Sequence, residues 1–205
     1  ENILKRYVEN SIVLKYKDVI SMKRVDRREA FKGKDVIYIY HDIIDAYSHN
    51  DESFVFEACD KAVNEIMNLI SIIDADLHGI NAIITSDHGF LYTYQELNEE
   101  DKMDKSSFKK DIVEQSRRYV ITTEQAKPDF LMPIKGIYNN SNLLGFSPRE
   151  NIRIKGRGGL KFVHGGTSLQ EICVPIIKYK SLRSTNKSYK INKDKYDIKP
   201  VTISL

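Results

Sequence analysis

Cysteine is scarce in this chain. Cys59 and Cys173 are its 2 cysteines, far apart and each among apolar neighbours. That pattern excludes a disulfide framework and a paired-thiol metal site, and it suits a reducing cytoplasm. Both residues read as small buried hydrophobes. Long apolar runs are missing too. None approaches the ~18–20 residues that cross a bilayer, so no membrane partner is expected. The opening ENILKRYVEN has no apolar centre of the kind a secretory signal needs. It starts with Glu rather than Met, so the expectation is a piece of a longer protein.

A strong charge imbalance is also absent from most of the chain. The 205 residues carry a net +3. The stretch from Ser181 to Lys199 holds six basic and two acidic residues, a net +4 that leaves −1 for the rest. The body is therefore no basic nucleic-acid platform, and the lysine-rich tail reads as a solvated linker. With 41% hydrophobic and 30% charged residues, the chain is an ordinary globular one of about one domain.

Residues 1–34 are mixed and highly charged, with weak helical patterning at Ile3, Leu4, Tyr7 and Val8, and read as a helical or irregular lead-in. Asp35–Tyr40, DVIYIY, is a β-branched and aromatic run that predicts a strand. From Ser53 to Ile73 apolar residues recur at three and four, predicting an amphipathic helix with Asp51, Glu52 and Ser53 at its N-terminus. Gly79 is its expected C-cap. Asn81–Thr85, NAIIT, predicts a second buried strand, and strand–helix–strand implies a parallel crossover.

Further along, a helix is expected from about Lys105 to Arg117, then two short strands at Tyr119–Thr123 and Phe130–Met132 forming a peripheral hairpin. Gly136–Pro148 reads as an irregular loop. GRGGLKFVHGG holds five glycines and must turn tightly or approach something closely. A helical turn at Ser168–Ile172 leads to a last strand at Val174–Ile177. The core is expected to end near Lys180, and residues 181–205 form the basic linker and the start of a following segment.

The chemistry concentrates in three of the 5 histidines. His49 follows the first strand, His88 follows the second, and His164 sits in a glycine-flanked turn. Ligands of open parallel sheets gather at the carboxyl ends of strands. Each of the first two has a carboxylate beside it: Asp45 lies four residues before His49, and Asp87 directly precedes His88. Carboxylate oxygen and imidazole nitrogen suit zinc or manganese. A spacing of four on a helix aims both groups one way. Each motif alone is weak, since a helix cap or turn explains it equally well. His41 reads as shaping a strand end, and His78 as a cation at a helix C-terminus.

Taken together and in order, Asp45-x-x-x-His49, Thr85-Ser86-Asp87-His88-Gly89 and His164-Gly165-Gly166 resemble the metal-binding signature of the alkaline phosphatase superfamily. More narrowly, YIYHDIIDAYSHN, IITSDHGFLY and GRGGLKFVHGGTSLQEICVPII resemble the PglZ domain of BREX-type phage-defence systems, from about Val36 to Ile177.

The resemblance implies a partial alkaline-phosphatase-like α/β sheet, parallel in its core, with residues 35–180 as the C-terminal part of the domain. It implies two divalent metals, zinc or manganese. Asp45, His49 and His164 would hold one. Asp87 and His88 would share the other with an Asp and a Thr or Ser nucleophile from upstream. No such elbow is visible in residues 1–34, so the nucleophile is expected outside this chain and at most one metal is expected to be well held here. Secondary candidates are Arg157, for a phosphate; Glu171, to orient a ligand; and Tyr47, to line the pocket.

The implied activity is phosphoester hydrolysis by a parent protein, on nucleotides or nucleic acid, alongside other defence proteins in the cytoplasm. The rival expectation is a catalytically silent interaction module. A sulfatase or phosphomutase is the third. A truncated sheet edge is expected either to self-associate or to be covered by residues 1–34.

Overall fold

The computed structural model describes residues 2–181, apart from Gly79, Glu96 and the stretches 105–111, 124–130, 135–141 and 157–160, and apart from the side chains of Asn2, His49 and Asn50. It is a mixed α/β structure. After helix α1 (Asn2–Tyr7) comes strand β1 (Ser11–Lys15), then helices α2 (Tyr16–Ser21) and α3 (Arg24–Phe31), then strand β2 (Val36–Tyr40). β1 and β2 are parallel, with Ser11 opposite Val36 and Lys15 opposite Tyr40. Both are rich in the branched and aromatic residues that pack on a pleated surface.

The lead-in is thus part of the domain rather than an appendage. Five residues, SIVLK, form a strand despite their charged flanks and cover one edge of β2. Val19 and Phe31 from the crossover helices pack with Leu69 and Ile73, and Leu14, Ile37 and Ile39 join them from the strands. Burying each large side chain of this kind contributes about 1.5–3 kcal/mol. Arg27, also buried, donates to the buried Asp76 carboxylate at 2.6 Å, and Arg24 reaches the same group at 3.0 Å.

Helix α4 (Ile43–Asn50) follows β2, and a 3-10 turn (Glu52–Phe54) leads into α5 (Val55–Leu77). The Asp51 carboxylate accepts from the Ser53 backbone N–H at 2.9 Å and its hydroxyl at 2.6 Å and so caps the 3-10 turn, whereas α5 itself, with Phe54 at its N-cap, has no side-chain cap. Ala58, Ala62, Leu69 and Ile73 form the buried stripe of α5. The other end closes on His78, which takes left-handed angles (φ 57°, ψ 41°) and donates its N–H to Asp74 O. Gly79, the expected cap, lies outside the described residues.

Strand β3 (Asn81–Ile84) does not pair with β2. It runs antiparallel to the last strand, β12 (Ile177–Lys180). The expected crossover therefore feeds two separate ladders. β12 begins at the end of the expected Val174–Ile177 run, because Asp74 on α5 anchors Tyr179 and Ser181 (3.3 and 3.0 Å). Strand β4 (Leu91–Tyr92) pairs antiparallel with β11 (Phe162–Val163), and β5 (Lys102–Met103) pairs parallel with β10 (Arg153–Ile154).

The two strands of the expected hairpin do not pair with each other; both join a larger antiparallel sheet, with a third strand between them. β6 (Ile112–Gln115), β7 (Val120–Thr122), β9 (Leu144–Pro148) and β8 (Leu131–Ile134) lie in that spatial order. Ile112–Gln115 was expected as helix and is strand, held by pairing with β7; residues 105–111 of that expected helix lie outside the described residues. The C-terminal part of the expected 136–148 loop is β9, between β7 and β8, because Phe146 joins Val120, Leu131, Met103 and Ile154 in a second core. Cys59 is half-buried, but Cys173 is exposed, contrary to its expected burial, since it ends a short surface turn. The basic tail after Ser181 lies outside the described residues. Among the described residues no helix is long and apolar enough to cross a membrane.

Candidate metal centre

Three elements deliver the site. The first turn of α4 carries Asp45, just past the end of β2. The loop after β3 carries Asp87 and His88. The turn between β11 and helix α6 (Leu169–Ile172) carries His164. Asp45, His88 and His164 converge: one ligand atom from each lies within 4.8 Å of the other two. His88 Nε2 stands 3.7 Å from Asp45 Oδ2. The His88 and His164 rings stack, with centroids 4.2 Å apart and planes 5° apart.

The donor set fits a divalent cation. Two ligands each ~2.1 Å from a tetrahedral ion sit roughly 3.4 Å apart, so the trio closes on one ion by side-chain adjustments of about an ångström. The tautomer of His88 is also suitable. Its Nδ1 lies 2.9 Å from the Gly89 carbonyl oxygen, which only accepts, so Nδ1 carries the proton. In the neutral ring the other nitrogen, Nε2, is then the one free to ligate, 3.7 Å from Asp45 Oδ2, the arrangement found when a metal-binding imidazole is oriented by a backbone carbonyl.

The expected partition put His88 with Asp87, and His164 with Asp45. Among the described residues, His88 falls in the same cluster as Asp45 and His164. Asp87 is close but turned to solvent: its side chain is 87% exposed, 3.9 Å from His88 Nε2, and accepts the His88 backbone N–H at 3.1 Å. Tyr38 on β2 feels it, since its hydroxyl pKa is raised by burial first, then by Tyr40 and by the charge of Asp87. His49 lies one helical turn beyond Asp45 on α4, and its side chain is outside the described set.

Of the secondary candidates, Arg157 lies outside the described residues. Tyr47 accepts a hydrogen bond from Lys61 at 3.1 Å, and the Lys61 ammonium also sits over its ring at 5.0 Å. Glu171 is buried, 2% exposed, and carries the densest set of contacts in this region. Its carboxylate accepts two hydrogen bonds from Arg118, both 2.9 Å, one from the Gly166 N–H at 2.9 Å and one from the Ser168 hydroxyl at 2.6 Å. Its backbone carbonyl accepts the Gly89 N–H at 2.8 Å. Burial alone would raise its pKa, but these hydrogen bonds, Arg118 first, outweigh that and hold it below the usual carboxylate range.

Sequence reading missed Arg118. It is fully buried, and besides Glu171 it donates to the carbonyls of Ile152 and Glu150. Its neighbour Arg153 is buried too, and desolvation, then the Arg118 charge, push its pKa down to about 10. The signal was invisible in sequence because Arg118 sits beside Arg117 in a polar turn, 53 positions from its partner. His41 does shape its strand end: it pairs with Glu65 at 2.7 Å and meets the edge of Tyr16.

The family described as the BREX system PglZ alkaline phosphatase-like domain matches residues 1–179. The chain belongs to this family. The match begins upstream of Val36 and takes in β1, as the packing of the lead-in requires. Among curated relatives, the alkaline phosphatase-like protein BrxZ of Escherichia coli O9:H4 (strain HS) is 34% identical over 192 residues, 90% of this chain and 22% of that protein. The alkaline phosphatase-like protein PglZ of Bacillus cereus (strain H3081.97) is 35% identical over 209 residues, 99% of this chain and 23% of that protein. The chain therefore spans under a quarter of either relative. No solved structure matches it.

Proposed function

We propose that this PglZ-family chain supplies the Asp45–His88–His164 part of a metal centre for phosphoester hydrolysis, within a longer cytoplasmic phage-defence protein. The observation that carries this reading is the convergence of one carboxylate and two imidazoles, with the tautomer of His88 set to leave Nε2 available. A bound zinc or manganese would neutralise phosphoryl oxygens and lower the barrier to attack on an anionic ester.

The chain's own residues do the rest. Asp45 contributes the negative charge and sits half-exposed at the start of α4, where an anionic substrate can approach. Gly89 O holds the His88 ring in register. Asp87 and His49 are the candidates for completing a second cation position, Asp87 from the neighbouring loop position and His49 one turn along α4. The nucleophilic hydroxyl belongs, on this reading, to the larger part of a PglZ-type protein, since the matched span is 22–23% of the relatives. Nucleotides or nucleic acid are the substrates that a two-cation phosphodiesterase centre suits, and other defence proteins are the expected partners.

The test is zinc binding by the 205-residue chain, followed by competition with a chromophoric chelator, beside hydrolysis of bis-p-nitrophenyl phosphate. One zinc per chain with negligible turnover is expected. A chain that binds no divalent cation is instead an interaction module that keeps these residues for folding. Robust turnover abolished by His164→Ala would place a complete active site, nucleophile included, within this chain.

A further inference from the structure

Two glycines beside the site are packed against the same short helix. A Cβ at Gly89, the residue after His88, would collide with the Gln170 carbonyl oxygen, and the Gly89 N–H already donates to the Glu171 carbonyl at 2.8 Å. A Cβ at Gly166, two residues after His164, would fall 2.6 Å from a Glu171 carboxylate oxygen and 2.8 Å from Arg118 Nε. Both histidine loops are therefore fastened to one residue: the His88 loop through the backbone of Glu171, the His164 loop through its side chain.

We infer that Glu171 is a positioning residue that couples the two histidines, and that Arg118 holds it in place. The side chain of Glu171 also accepts from the Ser168 backbone N–H (3.2 Å) and hydroxyl (2.6 Å), so it fixes the start of α6. The carbonyls of that same helix fix Gly89. The ion pair with Arg118 is closed to water, with side chains 0% and 1% exposed, and Arg118 is in turn tied to the carbonyls of Ile152 and Glu150 before β10. Rigid packing transmits displacement. A shift of the Glu171 carboxylate moves the Gly165–Gly166 turn directly and the His88 loop through α6. Glu171 acts through Gly166, Ser168 and the Gly89 backbone and need not touch substrate. Its role is to keep the parallel stack of His88 and His164 at its spacing. This deepens the metal-centre reading, yet it concerns the ring geometry of the metal-free chain as well.

Two readouts separate the ideas. Side-chain NMR of the metal-free chain follows the imidazole resonances, and zinc competition follows affinity. Glu171→Gln is expected to shift the His88 and His164 ring signals together, to leave those of His41 and His78 in place, and to weaken zinc binding tenfold or more. Ser168→Ala removes one hydrogen bond to the carboxylate and gives the same pattern at smaller amplitude. Ile73→Val, in the other core, lowers the melting temperature and moves neither ring. If Glu171→Gln does not fold, Ser168→Ala decides by the same criterion. Rings unmoved, or one moved without the other, overturn the coupling. Rings that move together in a chain that binds no zinc support the positioning role and refute the metal reading alone.

Discussion

His88 and His164 lie face to face, their rings 4.2 Å apart and 5° from parallel. They come from two separate loops, one after β3 and one after β11, yet they face the same carboxylate, Asp45. If all three serve one ion, their effects on binding are not independent. His88→Ala and His164→Ala are each expected to weaken zinc binding at least tenfold, and the double variant to lose much less than the product of the two. Affinities from chelator competition measure this, and strictly additive losses contradict a shared ion.

Gly89 has no room for a side chain against the Gln170 carbonyl. Gly89→Ala is expected to cost about 1–3 kcal/mol, the range for overpacking at a close approach. Thermal unfolding would show it as a clear fall in melting temperature, and an unchanged value would mean that this approach is looser than described.

Glu171 carries a pH dependence whose sign is fixed. Its folded-state pKa lies below the ordinary carboxyl value, against burial and because of Arg118 and Ser168. The unfolded chain therefore binds the proton more readily. The stabilisation is fully present above the unfolded value of about 4.3 and is lost as pH falls through the depressed folded value. Denaturant melts of the parent between pH 6 and 3 should lose a component that Glu171→Gln lacks. Parallel pH profiles would show that folding does not lower the Glu171 pKa.

Asp76 neutralises the buried Arg27 and reaches Arg24, joining α5 to α3. Asp76→Ala removes the carboxylate that pairs with the buried Arg27 guanidinium and should destabilise by about 3–5 kcal/mol, the cost of orphaning one member of a buried pair. Urea unfolding measures it, and a loss below ~1 kcal/mol would assign the pair the small weight of a surface contact.

The site was more legible in sequence than the sheet that frames it. Asp45, His88 and His164 each follow a strand, where chemistry-bearing side chains gather, and their motifs are compact. Their grouping was not legible, because which histidine meets which carboxylate depends on how α4 and two loops approach in space. β1 was hidden by its five-residue length and its direct run into α2 at Tyr16. β9 was hidden by Gly145, Ser147 and Pro148, which suggest a loop, although it pairs on both sides, with β7 and β8, and buries Phe146 and Ser147. The pair of Arg118 and Glu171 left no local signal, since a buried ion pair looks like two surface charges until its partners are known.

The central claim is one ion held by Asp45, His88 and His164. Zinc K-edge X-ray absorption on the zinc-loaded chain tests it most directly. The account predicts a first shell of nitrogen and oxygen at ~2.0–2.1 Å with outer-shell scattering from two imidazoles, falling to one in His164→Ala. A first shell containing sulfur at ~2.3 Å, or an imidazole signal unchanged by His164→Ala, would contradict it.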